Sequence, residues 1–215
     1  MNNFEEIKNL YSKSYQKYGD SPASLLTPKG RSELRFKAID PFINFEGVKI
    51  LDYGCGLGFL LEYLSKFDLS FDYTGYDILP DFIDACKAKY DCGNFKLINE
   101  NSTFNETFDI VFSSGVFNIA SHDCEKASKS YAFERIEKLF SLTKKVFICD
   151  FPSEFVDFKQ PNSQHFKVKE TIDFIVKNLS RRFQLRHDIL PYEMTVIVYK
   201  DDCIKRPESA FSVDL

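Results

Sequence analysis

A strand-like run that breaks into closely spaced glycines limits this chain more than any other feature. Val48 to Tyr53 (VKILDY) is short and apolar. It stops at Gly54, Gly56 and Gly58, and the chain then turns helical, with Leu60, Leu64 and Phe67 at helical spacing between Leu57 and Phe67. Glycines there let the backbone bend sharply and let a ligand approach the main chain. Free amides at the opening of a helix favour a ligand's polar groups. An acid follows: Asp77 lies 19 residues past Gly58, at the end of the next β-rich run, Phe71 to Asp77. In doubly wound sheets that position meets the hydroxyls of a ribose. The plainer role for Asp77 is to cap the helix that starts near Pro80.

The rest of the chain keeps alternating. Pro80 to Tyr90 carries Phe82, Ile83, Cys86 and Tyr90 on one helical face. Phe95 to Ile98 and Phe108 to Ser113 read as the third and fourth strands, Glu125 to Leu142 as a helix, and Lys145 to Cys149 as the fifth strand. Strands separated by helices imply right-handed βαβ units. Val168 to Leu179 is a further helix, and Arg182 to Leu190 and Glu193 to Lys200 form two strands joined around Pro191 and Tyr192. The expected fold is therefore α/β, a doubly wound, seven-stranded, mainly parallel sheet with an antiparallel C-terminal strand hairpin. At 215 residues this is a single domain. It divides into an N-terminal helical cap (1–45), a core (46–200) and a tail (201–215). Within the core, 151–167 is long for a connection and carries Phe151, Phe155, Phe158 and Phe166. It reads as a wall of a substrate pocket, its phenylalanines either a lid or packing beneath the loop.

Composition narrows the classes further. Hydrophobic residues at 44% and charged residues at 28% fit a globular protein. A formal charge of −4 without a basic block argues against a nucleic-acid partner. No apolar run approaches about 20 residues, so no helix is expected to span a bilayer. Met1 to Leu10 carries Glu5, Glu6 and Lys8 and lacks the apolar stretch of a signal peptide, which points to the cytoplasm. The six cysteines form no C-x-x-C pair and no Cys/His cluster at zinc spacing. They read as reduced thiols, with no metal site. Oligomeric state leaves no trace in the sequence.

The glycine spacing also separates nucleotide cofactors. The dinucleotide fingerprint needs G-x-G-x-x-G, which puts a glycine where this chain has Phe59. The chain instead has D-x-G-x-G-x-G, with Asp52 two residues before Gly54. This resembles motif I of class I S-adenosylmethionine-dependent methyltransferases, over about Val48 to Ala120, and the last two strands resemble that family's reversed terminal hairpin. The resemblance implies a Rossmann-like methyltransferase fold, S-adenosylmethionine as cofactor and S-adenosylhomocysteine as product. It implies that Asp52 holds the amino end of the methionine moiety and that the backbone of Gly54, Cys55 and Gly56 lies beside the cofactor. By the same resemblance Asp77 binds the ribose hydroxyls, Ile78 presses on the adenine, and one of Asn99, Glu100 and Asn101 reads the adenine amino group. Ser113, Ser114 and Gly115 lie near the sulfonium. Ser113 to Ile119 (SSGVFNI) looks like one subgroup of small bacterial methyltransferases, which also has a Tyr- and Gly-containing N-terminal region and an Arg-Phe pair. Tyr15 to Gly19 and Arg35-Phe36 are similar to these. On that likeness Tyr11, Tyr18 and Arg35 cover the cofactor, with Arg35 on its carboxylate. Helix patterning alone reads Arg35 equally well as a surface residue.

The implied reaction is an in-line displacement at the cofactor methyl, in which the protein chiefly aligns and desolvates. A hydroxyl acceptor needs a general base as well. His122 follows the fourth strand, at the sheet end where ligands bind, and His165 lies in the long loop. These two are the candidate bases; His187, inside a strand, is better suited to local hydrogen bonding. Asn118 either orients the acceptor or caps the following helix. The mild acidity points to a small-molecule acceptor: a sugar or polysaccharide precursor, a phosphorylated metabolite or a carboxylic acid. Three readings compete. A nicotinamide-dependent oxidoreductase is opposed by Phe59 and Asp52. A non-catalytic cofactor-binding partner subunit would keep the glycine loop without an acceptor pocket. RNA or protein methylation lacks an N-P-P-Y-like tetrapeptide after the fourth strand, where this chain has Ser113-Ser114-Gly115-Val116.

Overall fold

The strand order follows from which strands are apolar on both faces. The computed structural model describes residues 4–43, 47–67, 69–99 and 101–200. Strands β1 (Val48–Tyr53), β2 (Phe71–Asp77), β3 (Asn94–Leu97), β4 (Phe108–Ser113), β5 (Thr143–Pro152), β6 (Phe183–Leu190) and β7 (Glu193–Tyr199) form one sheet in the order β3-β2-β1-β4-β5-β7-β6. β1, β4 and β7 are buried almost throughout and sit inside the sheet, whereas β3 and β6 are largely exposed or half-buried and form its edges. β1 serves two cores by alternation: Val48 and Ile50 face one, Leu51 and Tyr53 the other.

Helices cover both faces. α1 (Phe4–Tyr18) and α2 (Arg31–Phe36) precede the sheet, with a 3₁₀ turn at Pro22–Leu25 between them. α3 (Phe59–Leu64) and α4 (Pro80–Lys89) pack Leu60, Leu61, Leu64, Ile83 and Cys86 into the first core. α5 (Glu125–Ser141) and α6 (Val168–Asn178) pack Ala132, Ile136, Leu139 and Ile175 into the second. α3 is shorter than its apolar spacing predicts. After Leu64 the amides of Lys66 and Phe67 bond to Tyr63 and Leu64 carbonyls, three residues back, and the Ser65 hydroxyl turns onto the Leu61 carbonyl at 2.8 Å.

The doubly wound, mainly parallel sheet is the one expected. The C-terminal hairpin contributes an unexpected detail. β7 pairs antiparallel with both β5 and β6, so β7 alone opposes the other six strands. Its first residue, Glu193, therefore stands at the same end of the sheet as the carboxyl ends of β1, β2 and β4.

Candidate active site

That end of the sheet opens into a cavity of about 820 Å³. Its floor carries Asp52 and Tyr53 from the end of β1, the Gly54–Gly56 bend, Asp77 from the end of β2, Asn99 after β3, Ser114 and Gly115 after β4, and Glu193. One wall comes from α1, the segment after it and α2, through Tyr11, Leu25, Leu26, Arg31 and Arg35. The other comes from the long loop after β5, through Val156, Phe158, Ser163 and His165.

The glycines are required by packing. Gly54 has φ 80°, and a Cβ there would lie 2.3 Å from Val116 Cγ2. Gly56 has φ 53°, and its Cβ would lie 2.8 Å from Leu25 Cδ2. The amides of the bend itself, ahead of the helix that opens at Phe59, are engaged within the protein. Gly54 and Cys55 donate to the Tyr76 carbonyl at 2.7 and 3.0 Å, and Gly56 donates to Asp77 Oδ2 at 2.8 Å. The bend works by keeping side chains out rather than by offering donors. The Cys55 side chain points away from the cavity into the first core, against Cys86, and burial raises its thiol pKa.

Two buried carboxylates flank the bend. Asp77 accepts from Gly56 through Oδ2 and from the Leu79 amide through Oδ1 at 2.9 Å. Each oxygen keeps a lone pair beyond those bonds. Burial raises the Asp77 pKa against the pull of these amides. Asp52 accepts from the Tyr73 hydroxyl at 2.6 Å. Burial lifts Asp52 to about 7, with the Asp77 charge adding and the Tyr73 bond opposing. Tyr11, half-buried over this floor, is pushed up to about 12 by desolvation and by Asp77, with Arg35 opposing.

A second charged group sits beside the first. Arg35 Nε and Nη2 form a bidentate pair with Glu193 at 2.7 and 2.6 Å, and Arg31 Nη2 reaches the same carboxylate at 3.0 Å. Burial works against the Arg35 charge, but Asp150 and Glu193 outweigh it and raise its pKa. Asp150, buried near the end of β5, accepts from the Gly115 amide at 2.8 Å. Burial raises its pKa, with Arg35 opposing. Arg35 is thus a cavity residue already engaged by protein carboxylates, neither a surface residue nor a free carboxylate binder. Sequence reasoning missed Asp150 and Glu193. An acid at the carboxyl end of the fifth strand was a readable signal for Asp150; Glu193 required knowing that β7 runs backwards.

The wall formed by the long loop is tied to the segment after β4. The Ala120 amide bonds to the Asn162 carbonyl and the Gln164 amide to the Asn118 carbonyl, both at 2.9 Å, around an Ile119–Ser163 bridge. Of the loop's phenylalanines, Phe151 and Phe166 are buried packing with ring centroids 4.7 Å apart, while Phe155 and Phe158 are exposed. His165 lines the cavity with both ring nitrogens engaged: Nδ1 lies 2.7 Å from the Ser153 carbonyl oxygen and Nε2 lies 2.8 Å from Ser163 Oγ. A carbonyl only accepts, so Nδ1 carries a proton, and Nε2, when bare, accepts from Ser163. Ser163 Oγ is also 2.8 Å from the Gln160 carbonyl, which receives the hydroxyl proton whenever Nε2 is itself protonated.

Several predicted site residues lie elsewhere. Tyr18 is 47% exposed and is not part of the cavity wall. It shares a helical face with Tyr11 but sits seven residues on, about 10 Å along α1. His122 is also outside the wall. Its ring packs on Phe4 and Tyr131, its Nδ1 meets Ser121 Oγ at 2.9 Å, and its backbone is bracketed by the Ser128 hydroxyl at the start of α5. Ser113 is fully buried in β4 and does not line the cavity. Asn101 is exposed and off the cavity, its amide donating to Asn99 Oδ1 at 2.9 Å. Glu100 lies outside the described residues. Asn99, Ile78, Ser114, Gly115 and Asn118 do line the cavity, and Asn118 Oδ1 is buried there without a protein partner. Among the described residues no cluster of metal ligands occurs, and no helix is long and apolar enough to cross a membrane.

Comparison with known proteins agrees with this geometry. Residues 50–133 match the family model described as "Methyltransferase domain". The chain is 25% identical over 166 residues to Rv1506c of Mycobacterium tuberculosis, which bears a methyltransferase name, covering 76% of this chain and 96% of that one. The fold superposes with a TM-score of 0.57 on a SAM dependent methyltransferase from Aquifex aeolicus, at 19% identity over 83% of this chain and 98% of that one. It superposes with a TM-score of 0.59 on the plantazolicin methyltransferase BpumL, solved with SAH and a triazolic desmethylPZN analog, at 15% identity over 92% and 98% of the two chains. The domain match and the named relative mark the chain as a methyltransferase, and its fold is the one seen in S-adenosylmethionine-dependent methyltransferases. More particularly, the match to the methyltransferase domain falls on residues 50–133, the stretch that holds the glycine bend, Asp52 and Asp77.

Proposed function

We propose that the protein methylates an oxygen of a small-molecule acceptor, with Asp52 and Asp77 holding the cofactor and His165 taking the acceptor proton. One observation carries this reading. The two buried carboxylates and the His165–Ser163 pair line one cavity at the carboxyl edge of the sheet. The carboxylates suit the cofactor. Asp77 retains two acceptor sites for a vicinal diol. Asp52, lifted to about 7 by burial, is a group that a neighbouring ammonium would relieve. Ile78 and Asn99 would flank the adenine, and Gly54 and Gly115 would leave room for the sulfur end. When bound, the cofactor supplies an activated methyl with a neutral thioether as leaving group.

The chain's own residues supply position and the proton path. The Ser153 carbonyl blocks Nδ1 of His165, and Ser163 occupies Nε2. A proton leaving an acceptor in the cavity therefore reaches the ring through Ser163 Oγ, which gives its own proton to Nε2. The Gln160 carbonyl then accepts from Ser163 as Nε2–H turns donor. Asn118, with its buried unpartnered Oδ1, is suited to orient the acceptor hydroxyl. The formal charge of −4 favours a small acceptor over a nucleic acid. The test is steady-state methyl transfer by His165→Gln and Ser163→Ala. His165→Gln should lower kcat about 10²- to 10⁴-fold with little change in KM, and Ser163→Ala should lower kcat in the same sense. Undiminished kcat in both variants would remove His165 from the chemistry.

A further inference from the structure

We infer that the acceptor is amphipathic, a hydroxyl carried on an alkyl or aryl body rather than a free sugar or a phosphorylated metabolite. This inference rests on the methyl-transfer reading above and specifies its second substrate. The polar end of the cavity is provided by Asn118, Ser163 and His165. Both walls add exposed apolar side chains to the lining: Leu10 is 43% exposed and Leu26 48% exposed on one side, and Phe158 is 73% exposed on the other. Three charged groups of the lining are committed to protein partners. Lys8 bonds to Glu5 at 2.9 Å, Arg31 to Glu193 at 3.0 Å, and Asp157 accepts from the Tyr192 hydroxyl at 2.9 Å. An anionic acceptor would therefore meet the Glu6 carboxylate and lining cations that already have protein partners, Arg35 on Glu193 among them.

Leu26 adds an independent indication. It adopts φ 55°, a left-handed conformation that Gly or Asn takes at little cost and leucine does not. Its amide closes the 3₁₀ turn at Pro22–Leu25 onto the Ala23 carbonyl at 3.0 Å, so the conformation is part of the wall. A leucine held there is strained and nearly half exposed, so it adds little to the core. It lines the cavity, as Phe158 does from the other wall. Strain retained at a site edge points to a use at that site, and here the use is apolar contact with whatever reaches the methyl.

The test uses the full-length protein saturated with S-adenosylhomocysteine. 1-Butanol, 1-hexanol, 1-octanol and D-glucose are titrated by calorimetry and saturation-transfer NMR, each below its solubility limit. Affinity should rise about fourfold per methylene along the alkanols, with D-glucose giving no saturation transfer. The double variant Leu26→Asn/Phe158→Ala keeps the left-handed backbone and removes only exposed apolar surface. It should flatten the slope while leaving S-adenosylhomocysteine affinity unchanged. Equal affinity along the series, glucose binding as tight as octanol, or a slope that survives in the double variant overturns the inference while the cofactor reading stands. Failure of wild-type protein to bind S-adenosylhomocysteine overturns both.

Discussion

Asp52 decides how the ligand-free site responds to acid. The folded protein holds its carboxyl at about 7, while the unfolded chain releases that proton near pH 4. Between those values the native state binds the extra proton, so this group's contribution to stability declines as pH rises from about 4 towards 7 and is level above that. A cation placed beside Asp52 expels the proton. S-adenosylhomocysteine should therefore bind more tightly as pH rises from about 6 to 8, by up to about tenfold per unit below 7. Calorimetry in buffers of different ionisation enthalpy should count close to one proton released at about pH 6, and Asp52→Asn should abolish both the release and the slope. At this scale the sequence was readable where spacing alone sets geometry. Asp52, Gly54, Gly56 and Asp77 belong to strand ends and a bend whose positions follow from periodicity. It was unreadable where the outcome depends on which face of an element looks inward. Ser113 and Ser114 are neighbours, yet only Ser114 lines the cavity. His122 follows the right strand but turns onto Phe4 and Tyr131 instead.

At the scale of elements, the Arg35–Glu193 pair joins α2 to the first residue of β7. Removing one partner of a buried pair strands the other charge and typically costs about 3–5 kcal/mol. Arg31 still reaches Glu193, so the loss belongs at the lower end of that range. Arg35→Met should lower the Tm by about 6–12 °C in a scanning-calorimetry melt. Arg35→Met/Glu193→Met should recover only part of that loss, because Glu193 is then no longer stranded while buried Asp150 still lacks the Arg35 charge. A loss no greater than that of a surface substitution would show that the pair contributes little to holding α2 on the sheet. This contact could not be seen in the chain beforehand. It arises because β7 inserts antiparallel between β5 and β6, an order the hairpin's sequence pattern does not encode. The strands themselves were legible, since β1, β4 and β5 are continuous apolar runs and the edge strands are not.

For the molecule as a whole, the contest between nicotinamide and sulfonium cofactors reduces to which nucleoside stabilises the fold. A ligand at about 100 times its Kd adds about 2.7 kcal/mol to stability, or roughly 5–10 °C in Tm for a chain of this size. S-adenosylhomocysteine should produce a shift of that order in a thermal-shift assay, and NAD at the same concentration should produce none. A shift with NAD alone would reverse the assignment. The overall plan was the most legible level of all, because alternating strand and helix periods leave few topologies open. The acceptor wall was the least legible, because it is assembled from two stretches more than 40 residues apart, joined through their main chains at Asn118–Ala120 and Asn162–Gln164. That junction bears on any attempt to redirect the enzyme. Grafting either stretch alone from a relative would break its partner's register, so new acceptor preferences must be transplanted as a matched pair of segments.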